Sequence, residues 1–142
     1  MQVDQSKKED AWLAVINNFP QDKMYKRRAQ EQLALLYLKL RRFDEASAIY
    51  RELVNQRDGE PYRATGIAGE AIIASLKGEH EKSQHLIEKN KRLLEKNLNS
   101  TMKQYILETI RQNQAQLQQE VKQELEDLFK TEPPASDNLD LE

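Results

Sequence analysis

Two histidines and two basic clusters are the residues whose types and spacing could do chemistry in this chain. His80 and His85 are five apart, so on a helix they point in different directions. Glu81 and His85 are four apart and can meet on one helical face, but two ligands do not make a structural metal site. Two histidines expected on a helix surface cannot anchor a Ser/His/Asp arrangement. The chain has no cysteine, hence no thiolate nucleophile, no cysteine-ligated metal and no disulfide framework. Neither a Gly-x-x-x-x-Gly-Lys loop nor a Gly-x-Gly-x-x-Gly turn occurs. The expectation is a protein with no catalytic residue, no metal and no cofactor, not an enzyme.

The basic clusters Lys26-Arg27-Arg28 and Lys39-Arg41-Arg42 are the strongest polar signals. They read either as a solvated face or as an attraction for an acidic partner segment. Lys89, Lys91, Arg92 and Lys96 add charge further on, diluted by Glu88 and Glu95. Few aromatics interleave with these charges, so no nucleic acid is expected. The net charge of −2 is unevenly placed: residues 1–119 hold 20 Lys and Arg against 16 Asp and Glu, and residues 120–142 hold 2 against 8. No apolar run approaches the ~20 residues that span a bilayer, so no membrane insertion is expected. MQVDQSKKEDAW also lacks the apolar core of a signal peptide. A cytoplasmic location follows as the expectation, in keeping with the absent cysteines, unless the chain is a domain of an envelope or secreted protein.

The elements that must position these residues are helical. Ala, Leu, Glu, Gln and Lys dominate, there are only four glycines, and no strand-like alternation runs far. At 142 residues the chain is about the size of one domain. Ser6 with Glu9 fits a capping box, predicting a helix from near Lys7 with Ala11, Trp12, Val15 and Ile16 as its stripe and Pro20 as its stop. The organising stretch is Gln32–Val54, QLALLYLKLRRFDEASAIYRELV, two helices joined by a tight turn. The first has Leu33, Leu36, Tyr37 and Leu40 on one face and Leu35 and Leu38 nearly opposite, so it needs neighbours on both sides. The second carries a single stripe: Phe43, Ala46, Ile49, Tyr50, Leu53 and Val54.

Asp58-Gly59 turns the chain, and Pro61 suits a first helical position. From Tyr62 to Lys77 the sequence is apolar nearly all round, which predicts a buried helix whose Gly66, Gly69 and alanines let neighbours come close. Gly78 suits a left-handed cap. One outer helix is predicted beyond it, striped by Ser83, Leu86, Ile87, Leu93, Leu94 and Leu98. Thr101 and Gln104 fit a capping box for a last helix, about Met102 to Phe129, whose stripe is interrupted by Asn113 and Glu124. Residues 131–142, with Pro-Pro and acid, are expected to be a disordered acidic tail.

Trp12 to Tyr50 is 38 residues, Tyr50 to Ile87 is 37, and Phe43 to His80 is also 37. A helix pair recurring at that interval is a solenoid signature, because each pair leaves an apolar face that only its neighbour covers. Leu33, Ala34 and Tyr37, then Phe43, Ala46 and Tyr50, resemble the tetratricopeptide repeat (TPR) pattern of large, small and aromatic positions. The next unit keeps Ala71, Gly78 and Ile87 but departs at Ala74, His80 and Ser83. The resemblance spans roughly residues 6–118. It implies an all-α fold, a short right-handed α-solenoid of antiparallel helix pairs. The half-unit is 6–20, the repeats are 27–60 and 64–98, and a long C-terminal capping helix covers 100–130, within one domain, 1–130.

The family's first helices line a concave groove that holds a partner segment. The resemblance maps that groove onto Arg28, Glu31, Leu35, Leu38 and Lys39, then Thr65, Ala68, Ile72 and Ser75, with Tyr105 following. For Leu35, Leu38 and Ile72 the alternative is that the next inner helix simply covers them. A subclass clamps a C-terminal carboxylate with Lys and Asn; here those positions carry Glu31, Leu35, Ala68 and Ile72, so that clamp is absent. The function implied is a non-enzymatic protein–protein interaction module, a scaffold or adaptor for a protein or peptide partner of acidic character. The alternative is a structural or oligomerisation element of a larger assembly, in which residues 100–130 self-associate as a homodimer.

Overall fold

The computed structural model describes residues 2–18, 21–55 and 59–130. Among them are seven helices and no strand: α1 (Gln2–Asn18), α2 (Lys23–Lys39), α3 (Phe43–Val54), α4 (Glu60–Leu76), α5 (His80–Lys89), α6 (Lys91–Asn97) and α7 (Ser100–Lys130). Each of the first five packs on the next, while α6 and α7 both lie against α4, and α7 also against α5. Helix α4 is therefore the hub. None of the described helices is long and apolar enough to cross a membrane.

Local chemistry explains most of the boundaries. Asp22 caps α2, its carboxylate accepting from the Tyr25 amide at 3.2 Å. Helices α2 and α4 end in the same turn. Arg41 N–H donates to the Leu38 carbonyl at 3.1 Å and Arg42 N–H to that of Tyr37 at 2.8 Å. Thirty-seven residues on, Gly78 N–H donates to Ser75 and Glu79 N–H to Ala74, at 3.0 and 2.8 Å. Both turns need a left-handed residue; Gly78 takes it at φ 87° and Arg41, without glycine's freedom, at φ 59°.

Several expectations are corrected. Helix α1 begins at Gln2, so Ser6 lies inside it and caps nothing. Glu9 instead reaches across to the end of α2, accepting from the Tyr37 hydroxyl at 3.2 Å and from Arg42 Nη1 at 2.7 Å. Leu40 is 39% exposed because the helix stops before it, so it leaves the core face. The single outer helix expected after Gly78 breaks at Asn90 (φ −112°), whose side chain donates to the Leu86 carbonyl at 2.9 Å. Asn99 caps α7, its side chain accepting from the Met102 amide at 2.9 Å, and Thr101 does not. Phe19, Pro20, Asp58 and the tail 131–142 lie outside the described residues.

One core runs through the molecule. Leu33, Tyr37, Tyr50, Leu53, Ile67, Ile73, Ile87, Leu94 and Ile106 belong to it, with Trp12, Leu13 and Ile16 of α1 packed against it. Glycine lets α3 and α4 meet. A Cβ on Gly66 would fall 2.5 Å from the Tyr50 carbonyl oxygen, and one on Gly69 would strike the Tyr50 ring. Tyr50 thus lies across bare backbone, fully buried.

Candidate functional site

Helices α2, α4 and α7 bring only part of the expected groove together. A hollow of about 250 Å³ crosses α2, α4 and α7. Leu38, Lys39, Ile72 and Tyr105 line it as the resemblance implies, and Ser75 joins them. Five further contributors were not foreseen: Arg41, Leu76, Glu108, Thr109 and Gln112. Leu76 is the informative one. It ends a helix that reads as buried all round, yet is 46% exposed. Its position next to the Gly78 turn was the available signal, since a last turn escapes its neighbours.

Burial separates the lining residues. Leu38 and Ile72 are core side chains that show only an edge to the hollow, and Ala68 is wholly buried beneath it. Thr65 is buried too, its hydroxyl donating to the Pro61 carbonyl at 3.0 Å. The covered-by-a-neighbour alternative therefore describes Leu38, Ala68 and Ile72 better than a free apolar surface does. Tyr105 is half-buried and Lys39 exposed.

Arg28, Glu31 and Leu35 lie elsewhere. Arg28 and Glu31 line a separate hollow of about 550 Å³ between α1 and α2, with Trp12, Val15 and Tyr25. Leu35 is half-buried beside a third hollow shared with Gln5, Lys8, Trp12 and Lys39, the last of which also lines the first hollow. Burial pushes the Glu31 carboxyl above its ordinary value, opposed in part by the nearby Arg28 guanidinium. The reason for the split is α1, which lies along α2 and divides that face.

The basic clusters divide as well. Arg27 is buried, with Nη1 donating to Gln30 at 2.7 Å and 3.6 Å from Glu52, so it braces α2 against α3. Arg42 lies over the Tyr37 ring at 4.4 Å and pairs with Glu9 and Glu45. Arg28, Lys39 and Arg41 remain exposed.

His80 is not the surface residue expected; His85 is. Half-buried His80 has Nδ1 3.0 Å from Asn113 Oδ1, in a partly buried network at the crossing of α4, α5 and α7. Ser75 donates to the same oxygen at 2.8 Å, while Asn113 Nδ2 donates to Ser83 Oγ at 2.9 Å and Gln84 Oε1 at 3.2 Å. Ser83 in turn donates to the Ala71 carbonyl at 2.6 Å. With both ends of the Asn113 amide satisfied, the network docks helices rather than holding a ligand. Among the described residues no three His, Asp or Glu side chains gather where a metal ion could sit.

Comparison of the chain with protein-family models, with curated proteins and with solved structures returned no match. The resemblance to the tetratricopeptide pattern rests on the residues quoted above.

Proposed function

We propose that this chain is a non-enzymatic interaction module, a short right-handed TPR-like solenoid whose inner helices hold an acidic peptide or helix from a protein partner. The observation that carries the reading is the hollow across α2, α4 and α7. Half-exposed Leu76 and Tyr105 offer apolar contact there, and the cations Lys39 and Arg41 line the same hollow. The matching turns at Arg41 and Gly78, 37 residues apart, support the repeat on which the reading depends. The cytoplasm is the proposed compartment, since a cysteine-free chain suits a reducing one.

A titration of isotope-labelled protein with acidic amphipathic peptides tests it. Saturable shifts should centre on Lys39, Arg41, Leu76 and Tyr105, and the double substitution Lys39→Glu with Arg41→Glu should weaken binding roughly tenfold or more. Shifts confined to other faces, or equal response to basic peptides, would defeat the proposal.

A second reading, the assembly element, is favoured by a separate observation. In the last third of α7, Val121, Leu125 and Phe129 are 56%, 51% and 74% exposed. Three large apolar side chains on one projecting helix are more than the scattered single exposures normal on a surface.

A further inference from the structure

A groove of about 490 Å³ separates α5 and α6 from the first half of α7. Its floor is the edges of the core side chains Ile87, Leu94, Leu98 and Ile106, and half-buried Ile110 and exposed Leu107 bound it on α7. Leu107 is 58% exposed at its edge. Beyond Asn113 no residue of α7 is buried; Leu117 is half-buried, and an arm of helix follows to Lys130.

The groove wall and the arm are one continuous face. Eighteen residues make about five turns of α-helix, so residues that far apart share an azimuth. Leu125 therefore lies directly along the helix from Leu107, and Val121 from Lys103. The apolar face that bounds the groove runs out as the arm's exposed stripe. Helix α7 has no glycine or proline, so its arm cannot fold back into the groove that its own first half helps to form.

The geometry points to a second copy of this chain as the occupant: two α7 helices pair antiparallel, each arm filling the other's groove. Setting Leu107 opposite Leu125 of the second copy places the two-fold axis beside Gln116. Such an exchange closes on itself, the property of an isologous dimer. The charged side chains at the groove, Glu88, Lys91, Glu95 and Lys103, balance, so the arrangement rests on the shared apolar face. Parallel pairing would instead set arm on arm, with Glu124 facing its own copy, and leave both grooves empty. The inference rests on the assembly reading and is independent of the concave hollow.

Sedimentation equilibrium of the full chain tests it, with Leu107→Lys and Leu125→Glu as variants and far-UV circular dichroism to verify folding. Both sites are more than half exposed, so the monomer fold should be kept. The unaltered chain should dimerise. Each variant alone should weaken dimerisation at least about tenfold, and an equimolar mixture should recover it to within roughly threefold. The recovery arises because one Leu107–Leu125 contact stays intact and the two introduced charges meet at the other. A monomer at every concentration sinks both this pairing and the assembly reading. A dimer that both variants weaken but their mixture does not rescue leaves assembly standing and removes the antiparallel register. A dimer indifferent to both substitutions removes the α7 interface altogether.

Discussion

Asn113 is fully buried where α7 crosses α4 and α5, and both atoms of its amide are engaged twice. Its Oδ1 can only accept, so His80 Nδ1 and the Ser75 hydroxyl are the two donors to it. Such a group costs little while satisfied and a great deal once broken, because its partners are then stranded away from water. Asn113→Ala should therefore cost about 2–4 kcal/mol in denaturant unfolding, with the slope unchanged. A loss below about 0.5 kcal/mol, the size of an ordinary surface change, would show that the network is idle. Along the chain Asn113 reads as a flaw in an apolar stripe. Its partners stand 29 to 38 positions away, so nothing local identifies it as the residue that fixes the seat of α7.

At the scale of elements the two helix-turn-helix units are alike in backbone and unlike in cost. Gly78 occupies its left-handed position at no steric penalty, whereas Arg41 holds the equivalent position with a Cβ. Arg41→Gly should stabilise the fold by about 0.5–1 kcal/mol, seen as a raised denaturant midpoint. A midpoint that falls would mean that the Arg41 side chain contributes more than its backbone loses. The glycines and alanines of α4 were legible as a contact surface, since a helix apolar all round must be enclosed. The break at Asn90 was not legible, because Leu86, Ile87, Leu93 and Leu94 continue a helical stripe on either side of it. Only the bend lets both α5 and α6 lie against α4.

At the scale of the whole molecule, order should be uneven. Helix α7 is about 46 Å long, at 1.5 Å per residue over its 31 residues. Its first half is seated by Met102, Ile106 and Asn113, while residues 118–130 are all exposed. Amide hydrogen exchange should thus be fast across the arm in dilute solution and should slow there, and along Ile87–Leu98, as concentration rises. Exchange in the arm that ignores concentration would count against the paired helices. The concave hollow should show no such dependence, since neither copy's arm reaches it.

Composition and periodicity alone determined that the chain is helical and that α4 is enclosed. These follow from short-range causes: propensity, capping, and the 3.6-residue repeat of apolar side chains. Which exposed-looking residues face a partner was decided only by tertiary packing. Helix α1 splits Arg28 and Glu31 from Lys39 and Tyr105, and the core takes in Leu38, Ala68 and Ile72. A helix face carries no record of which neighbour will cover it, because burial depends on elements distant in the chain.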